Sequence, residues 1–376
     1  MASQTQVASQ VKVASQVKVA SQVKVASQII GWDIGGAHLK AVLLDAKGEV
    51  VNCLQLPCPL WKGLDYLQRA IFHALQAFKI EPSKACHAIT MTGELVDLFE
   101  NRQQGVGEIA KVASELLGER VWFYAANNGF VNMLDVPQHT LYIASSNWHA
   151  SASALAKNVN DALFVDIGST TTDIIVTQGS KVLSAGLSDA YRMQADSLVY
   201  TGVVRTPIMA LTQKIVFDGV ETNVAAEFFA TMADVYRLTG ELATDAADAA
   251  DGKGKTQLES ARRLARMIGY DVYNNDFDKD AEKWIKLAFA CRNLHLQQIK
   301  TAMLKQLKPN MTIIGAGVGG FLVKTIAEDL NYNFIQACEL VSMRPAGHAD
   351  LSLQHDIGVC FSAYAVAYLM QKQTIC

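Results

Sequence analysis

Between Ile29 and Leu56 the chain alternates short apolar runs with glycine-centred breaks: "IIGWDIGG", "AVLLD" and "EVVNCLQL", the last closed by Pro57. Runs of this length, rich in Val, Ile and Leu and separated at Gly35-Gly36 and Lys47-Gly48, predict three strands in an antiparallel meander. The period then changes. Apolar residues at Leu64, Leu67, Ile71, Leu75 and Phe78 recur at about every fourth position, which places them on one face of a helix. A strand, "ACHAITMTG", follows, and elements continue to alternate. At Asp161 the opening pattern restarts, because "ALFVDIG", "TDIIVTQG" and "KVLSAGL" predict a second meander. Strands followed by helix and strand in alternation, twice over, predict an α/β chain of two domains with mixed sheets and helices on their faces.

Helices are predicted over 221–243, 256–270 and 279–307. Among them lies the Asp- and Gly-rich "TDAADAADGKGKT", read either as a solvated loop or as a lid carrying Asp251 and Lys255 to a site. "MTIIGAGVGGFLVKTIA" reads as a strand, a glycine loop and a helix. The chain of 376 residues is long for one core, since single cores stop growing near ~250 residues. The division expected is 29–157 with 357–376, then 158–356, after an arm over 1–28. In that arm the hexapeptide VASQVK repeats; if extended, Val and Ser take one side and Ala, Gln and Lys the other. It reads as low-complexity sequence apart from the folded domains.

Half the residues are hydrophobic and 18% are charged, below the roughly 25% of an average soluble protein, so buried cores are expected. A net charge of −3 leaves no basic surplus for nucleic-acid phosphates or an anionic membrane surface. The apolar run "GVCFSAYAVAYLM" is shorter than the about 20 residues a bilayer requires. Seven cysteines, with no Cys-x-x-Cys pair, argue against a disulfide framework and a zinc site. A cytoplasmic protein without a secretory signal, acting on small molecules and open to homo-oligomerisation, is the expectation.

The two strand ends carry the chemistry. In "IIGWDIGGAHLKAVLLD" and "LFVDIGSTTTDIIV" an Asp-Ile-Gly closes a strand, and the glycine lets phosphate oxygens approach backbone N–H groups. Asp33 and Asp166 would then face phosphates, which requires a cation between them and implies Mg²⁺. In "GAGVGG", Gly315, Gly317 and Gly320 also fit a dinucleotide loop. That reading fails on position, because too little chain follows for a full dinucleotide fold. As a phosphate- or nucleoside-facing loop at a helix start it agrees with the other two motifs.

"DIGGAHLK", "DIGSTTTD" and "IIGAGVGG" together resemble the phosphate and nucleoside loops of the actin, sugar-kinase and Hsp70 superfold. "HDIGVCFSAYAVAYL" would be its connecting helix. Within it, "LVYTGVVRTPI", "SSNWHASASAL" and "VDIGSTTTDII" resemble the hydantoinase A/oxoprolinase-like branch. With "MTGELVDLF" and "FATMADVYRLTGEL", the chain is similar from Ile29 onward to a family of methanogens and methylotrophs in tetrahydromethanopterin- and methanofuran-linked one-carbon metabolism. That resemblance implies a synthase joining an aminomethylfuran-methyl diphosphate to the phenol of a glutamylated tyramine, with release of pyrophosphate and without ATP. An ATP-dependent kinase or hydantoinase-like enzyme is the alternative, as is a non-enzymatic partner of the one-carbon machinery.

Implied site residues follow motif by motif. Asp33 and Asp166 are metal ligands; Gly35, Gly36, Gly168, Ser169, Thr170, Thr171, Gly315 and Gly317 cradle the diphosphate. Ala37-His38 departs from the superfold pattern, in which a small hydroxyl residue often follows the double glycine, and His38 is either a phosphate ligand or a turn residue. Lys40 shares its strand face and reaches the same anion or snorkels to the surface. Glu94 and Asp97 lie three apart at a strand-to-helix junction, as catalytic groups or helix-start carboxylates. Asn147 is a candidate ligand, with Ser145 and Ser146 as helix caps. Arg205 suits diphosphate recognition or a surface ion pair.

Overall fold

The computed structural model describes residues 28–184, 186–243, 249–343 and 356–373, so the repeat arm lies outside the described residues except for Gln28, which opens the first strand. The first meander is β1 (Gln28–Ile34), β2 (His38–Leu44) and β3 (Val50–Pro57), followed by helix α1 (Leu64–Phe78), β4 (Ala85–Met91), α2 (Arg102–Leu117), β5 (Val121–Tyr124) and β6 (Phe130–Val131). Helices α3 (Val136–Ile143) and α4 (Asn147–Leu155) lead into the second meander, β7 (Ala162–Ile167), β8 (Thr172–Gln178) and β9 (Lys181–Leu183). Beyond it come α5 (Asp189–Gln194), β10 (Leu198–Val199), α6 (Ile208–Leu211), β11 (Lys214–Phe217), β12 (Val220–Asn223), α7 (Met232–Thr239), α8 (Gln257–Arg266) and α9 (Asn274–Gln306). The chain closes through β13 (Thr312–Ala316), α10 (Gly320–Asp329), β14 (Phe334–Gln336) and the C-terminal helix α11 (Phe361–Gln373).

One sheet runs β3-β2-β1-β4-β5-β6 and the other β10-β8-β7-β13-β14, with β9 on β8. In each, a meander is antiparallel and a later strand joins its first strand in parallel, β4 on β1 and β13 on β7. The two halves therefore repeat one topology, as the doubled Asp-Ile-Gly pattern anticipates.

Strand parity decides what faces what. On β1, Ile30, Trp32 and Ile34 belong to the core under α1 and α2, while Ile29 joins a middle core shared with α4, α11 and the second sheet. On β7, Leu163, Val165 and Ile167 face the core of α7 to α10, and Phe164 faces the middle. With a side-chain period of two, Asp33 and Asp166 continue the middle-facing rows. The same count puts Lys40 with Val42 and Leu44 on β2, and Asp173 with Ile175 on β8. The small-residue helices α4 and α11 fill the middle layer between the sheets. Four charged residues share its facing surfaces at the strand ends.

The helix predicted over 221–243 is not one element. A β11-β12 hairpin occupies its start, turning at Asp218 (φ 49°) and Gly219 (φ 80°), and only Met232–Thr239 is helical. Two consecutive positive φ angles favour Asp-Gly in a two-residue hairpin turn, a signal that outweighs the helical spacing carried forward from α7.

Candidate active site

Both glycine turns close in the same way. Gly35 N donates to His38 O at 3.0 Å and Gly168 N to Thr171 O at 2.8 Å. Among the described residues, the amides of Gly36 and Ala37 in the first turn, and of Ser169 and Thr170 in the second, meet no protein acceptor. Outer segments hold the turns in place: Cys58 N and Leu60 N donate to Ala37 O and Gly36 O. Gly202, Val203, Val204 and Arg205 donate their amides to Thr170 O, Gly168 O and Ser169 O. A Cβ on Gly202 would lie 2.5 Å from the Ser169 backbone, so only glycine permits this close strapping. Arg205 is thereby fixed beside the second turn, with an exposed guanidinium that has no partner among the described residues. Among the described residues it forms no surface ion pair. Ser169 and Thr170 hydroxyls lie 3.5 Å apart, whereas Thr172 Oγ1 donates to Thr201 O at 2.8 Å inside the fold. The last of the four hydroxyls in this turn is structural.

Asp33 is 3% exposed. Its Oδ2 accepts from Ser362 Oγ of α11 at 2.5 Å and lies 3.7 Å from Lys40 Nζ, while Oδ1 is buried with no partner. Burial pulls the Lys40 ammonium down, but Asp33, with Cys360 and Asp166, more than reverses this and leaves its pKa above the usual lysine value. Asp166 faces Asp173 across the β7-β8 ladder. Burial, with Asp173 and Asp33 as like charges, pushes the Asp166 carboxyl up to about 7 against the pull of Lys40. Lys40 therefore acts on both strand-end aspartates. Burial also raises Asp173, opposed by Arg192. Arg192 is 2% exposed, pairs with Asp173 and lies 4.1 Å over the Trp148 ring. A guanidinium between a carboxylate and an indole is held by charge and cation–π attraction.

Glu94 is the middle residue of a short 3-10 turn, Gly93–Leu95, just beyond β4. It is 1% exposed; Ser145 Oγ donates to its Oε1 at 2.6 Å, and Oε2 is buried without a partner. Burial raises its pKa to about 7 despite that bond. Asp97 is exposed, so the two carboxylates do not share a face: the turn continues as 3-10 and bend, and α2 starts only at Arg102. The capping expected of the serines also fails. Ser145 holds Glu94, Ser146 Oγ donates to Tyr124 O and meets Thr90 Oγ1, and neither side chain caps α4. Asn147 begins α4 half-exposed, its side chain without a partner among the described residues. His38 is exposed at the start of β2.

Gly317 has φ 76°, and a Cβ there would lie 2.3 Å from Asp166 Oδ1. Gly319 N donates to Ile167 O, so the glycine loop leans on the strand carrying Asp166. Gly315 does something else: a Cβ on it would lie 2.8 Å from Phe334, which makes it a packing glycine inside the sheet. Asp251 accepts from Arg263 Nη1 at 3.2 Å, and residues 244–248 of the same Asp- and Gly-rich stretch lie outside the described residues.

Asp173, Arg192, Ser362 and Gly202 escaped the sequence reading. One signal was available for Asp173, which follows Asp166 at the spacing by which Lys40 follows Asp33. Among the described residues no three His, Cys, Asp or Glu side chains converge as a metal cage. Two carboxylates, one with an orphaned oxygen, nevertheless suit Mg²⁺, which keeps waters and substrate phosphates for its other positions. No helix among the described residues is long and apolar enough to cross a membrane. Cys53, Cys58, Cys291, Cys338 and Cys360 carry free thiols.

Two lobes of repeated topology, with paired Asp-Gly turns where they meet, define the actin-like superfold. Nucleotide-free acetone carboxylase shares the fold, with a TM-score of 0.54 at 10% identity over 91% of this chain and 70% of that one. The chain belongs to the hydantoinase/oxoprolinase family, whose profile matches residues 85–349. It is 29% identical over 351 residues to the (4-{4-[2-(gamma-L-glutamylamino)ethyl]phenoxymethyl}furan-2-yl)methanamine synthase of Methanocaldococcus jannaschii, covering 92% of this chain and 98% of that protein. A protein of the same name from Methanococcus vannielii is 30% identical over 169 residues, 44% of this chain and 76% of the relative.

Proposed function

We propose that the protein is a cytoplasmic synthase of methanofuran-type cofactor formation. It condenses an aminomethylfuran-methyl diphosphate with the phenol of a glutamyl-tyramine or related tyrosine derivative, forming an aryl ether and releasing pyrophosphate. The observation that carries this reading is the near end-to-end match to a synthase whose named product contains that phenoxymethyl-furan ether. The site's chemistry agrees with it. The unbonded amides of Gly36, Ala37, Ser169 and Thr170 and the Arg205 guanidinium suit a diphosphate. Lys40, whose charge acts on both Asp33 and Asp166, adds positive charge where negative charge grows as the carbon–oxygen bond breaks. Asp33 and Asp166 would hold Mg²⁺, which when bound supplies further neutralisation of the departing diphosphate. Asn147, at the start of α4 and without a side-chain partner among the described residues, is placed to orient substrate.

Incubation of the purified protein with the furan-methyl diphosphate, the phenolic amine and Mg²⁺, without nucleotide, should give the ether and pyrophosphate in equal amounts by mass spectrometry. Membership of the hydantoinase/oxoprolinase family favours the ATP-dependent alternative. A strict ATP requirement, with ADP or AMP appearing in step with product, would establish that alternative instead. The second turn gives a separate prediction. Thr170→Val and Thr171→Val should each raise the inhibition constant for pyrophosphate by roughly 3–10-fold, on the order of one net hydrogen bond. Thr172→Val should instead lower stability, through the lost bond to Thr201 O. Unchanged pyrophosphate inhibition in both of the first two variants would return that turn to a purely structural role.

A further inference from the structure

Glu94 is built into its place from three sides. Gly93, the residue before it, packs against the first glycine turn, where a Cβ would lie 3.2 Å from Ile34 O and 3.3 Å from the Gly35 carbonyl carbon. On the other side α2 approaches so closely that a Cβ on Gly105 would lie 2.6 Å from Glu94 O. Ser145, the third support, adopts φ 49°, a left-handed conformation uncommon for residues other than glycine. It does so where its hydroxyl donates to Glu94 Oε1. Strain of this kind persists only where surrounding structure imposes it.

The result is a buried carboxylate with one oxygen fixed and the other, Oε2, without a partner. A carboxylate required only for packing leaves no reason for that oxygen to stay unpaired, because buried polar atoms are normally satisfied. The charged groups acting on Glu94 are Arg102 of α2 and Asp189 of α5, which form an ion pair with each other between the first and second halves of the chain. Glu94 thus stands at the seam between the lobes, next to the turn that follows Asp33.

We infer that Glu94 is the general base that takes the proton of the acceptor phenol, with Ser145 as its positioning residue. This rests on the reaction proposed above. The phenol O–H bond breaks and its proton passes to Glu94 Oε2. The phenolic oxygen forms a bond to the furan methylene carbon, and the bond from that carbon to the diphosphate oxygen breaks, its electron pair leaving with pyrophosphate. Burial, which lifts the carboxyl to about 7, brings its basicity near the working pH, where general bases act best.

The test measures kcat of wild type and Glu94→Gln on a series of acceptors with increasingly fluorinated phenol rings. Glutamine keeps an oxygen for Ser145 and removes a buried charge, so the variant should fold. On the unsubstituted phenol kcat should fall by roughly 10²–10⁴-fold, the usual contribution of a general base. The deficit should shrink at least ~10-fold on phenols acidic enough to ionise unaided. A variant equal to wild type, or one equally impaired on every phenol, overturns the inference. Wild-type protein that forms no ether from any phenol overturns the proposed reaction instead.

Discussion

Asp33→Asn is expected to lower kcat by at least ~10²–10³-fold, the scale seen when one preorganised electrostatic group is removed from a site, while leaving the fold in place. The substitution is nearly isosteric. The asparagine oxygen can still accept from Ser362 Oγ, and the amide nitrogen replaces Oδ1, an oxygen that makes no hydrogen bond in the structure. What disappears is charge. Lys40 loses the carboxylate 3.7 Å from its ammonium, and a Mg²⁺ site loses one of its two protein carboxylates. Circular dichroism and the urea midpoint should stay close to wild type as turnover collapses. A variant that retains more than a tenth of wild-type kcat would show that the first Asp-Gly turn is scaffold, and would move the chemistry toward Asp166 and Asp173.

Much of this site was legible because strand parity and antiparallel pairing are local rules. A tight hairpin places residue i opposite i+7 here, as in Asp33 with Lys40 and Asp166 with Asp173. Counting along two hairpins therefore puts four charged side chains on facing surfaces. Contacts made across the chain had no such signal. Ser362 lies 329 residues beyond Asp33, in a helix whose small apolar residues announce only burial. Ser145 sits 51 residues from Glu94, and its place before a helix suggested a cap. Serine hydroxyls satisfy whichever neighbour folding brings near. Arg192 resembled any surface arginine, since only the tertiary fold sets it between Asp173 and the Trp148 ring.

Gly31→Ala should cost more stability than any of the site substitutions above and should impair the site as well. Gly31 lies on the middle-facing row of β1, two residues before Asp33, where α11 crosses the strand. An added Cβ would stand 1.9 Å from Ala363 O and 2.9 Å from Ala367 Cβ. Neither is the end of a flexible side chain, so relief requires a shift of the helix itself. Overpacking of this kind usually costs about 1–3 kcal/mol and occasionally more, and should appear as a lowered urea midpoint. Ser362 neighbours Ala363, so a shifted α11 also carries away the hydroxyl that holds Asp33 Oδ2. Ser362→Ala isolates that second effect, since it deletes the hydroxyl without moving the helix. It should lower kcat with a much smaller change in stability. If Gly31→Ala loses stability while its remaining folded fraction turns over at the wild-type rate, α11 is only a packing element. If both variants lose kcat, the C-terminal helix orients Asp33, and the close approach at Gly31 is part of how the first turn is held in register with the second.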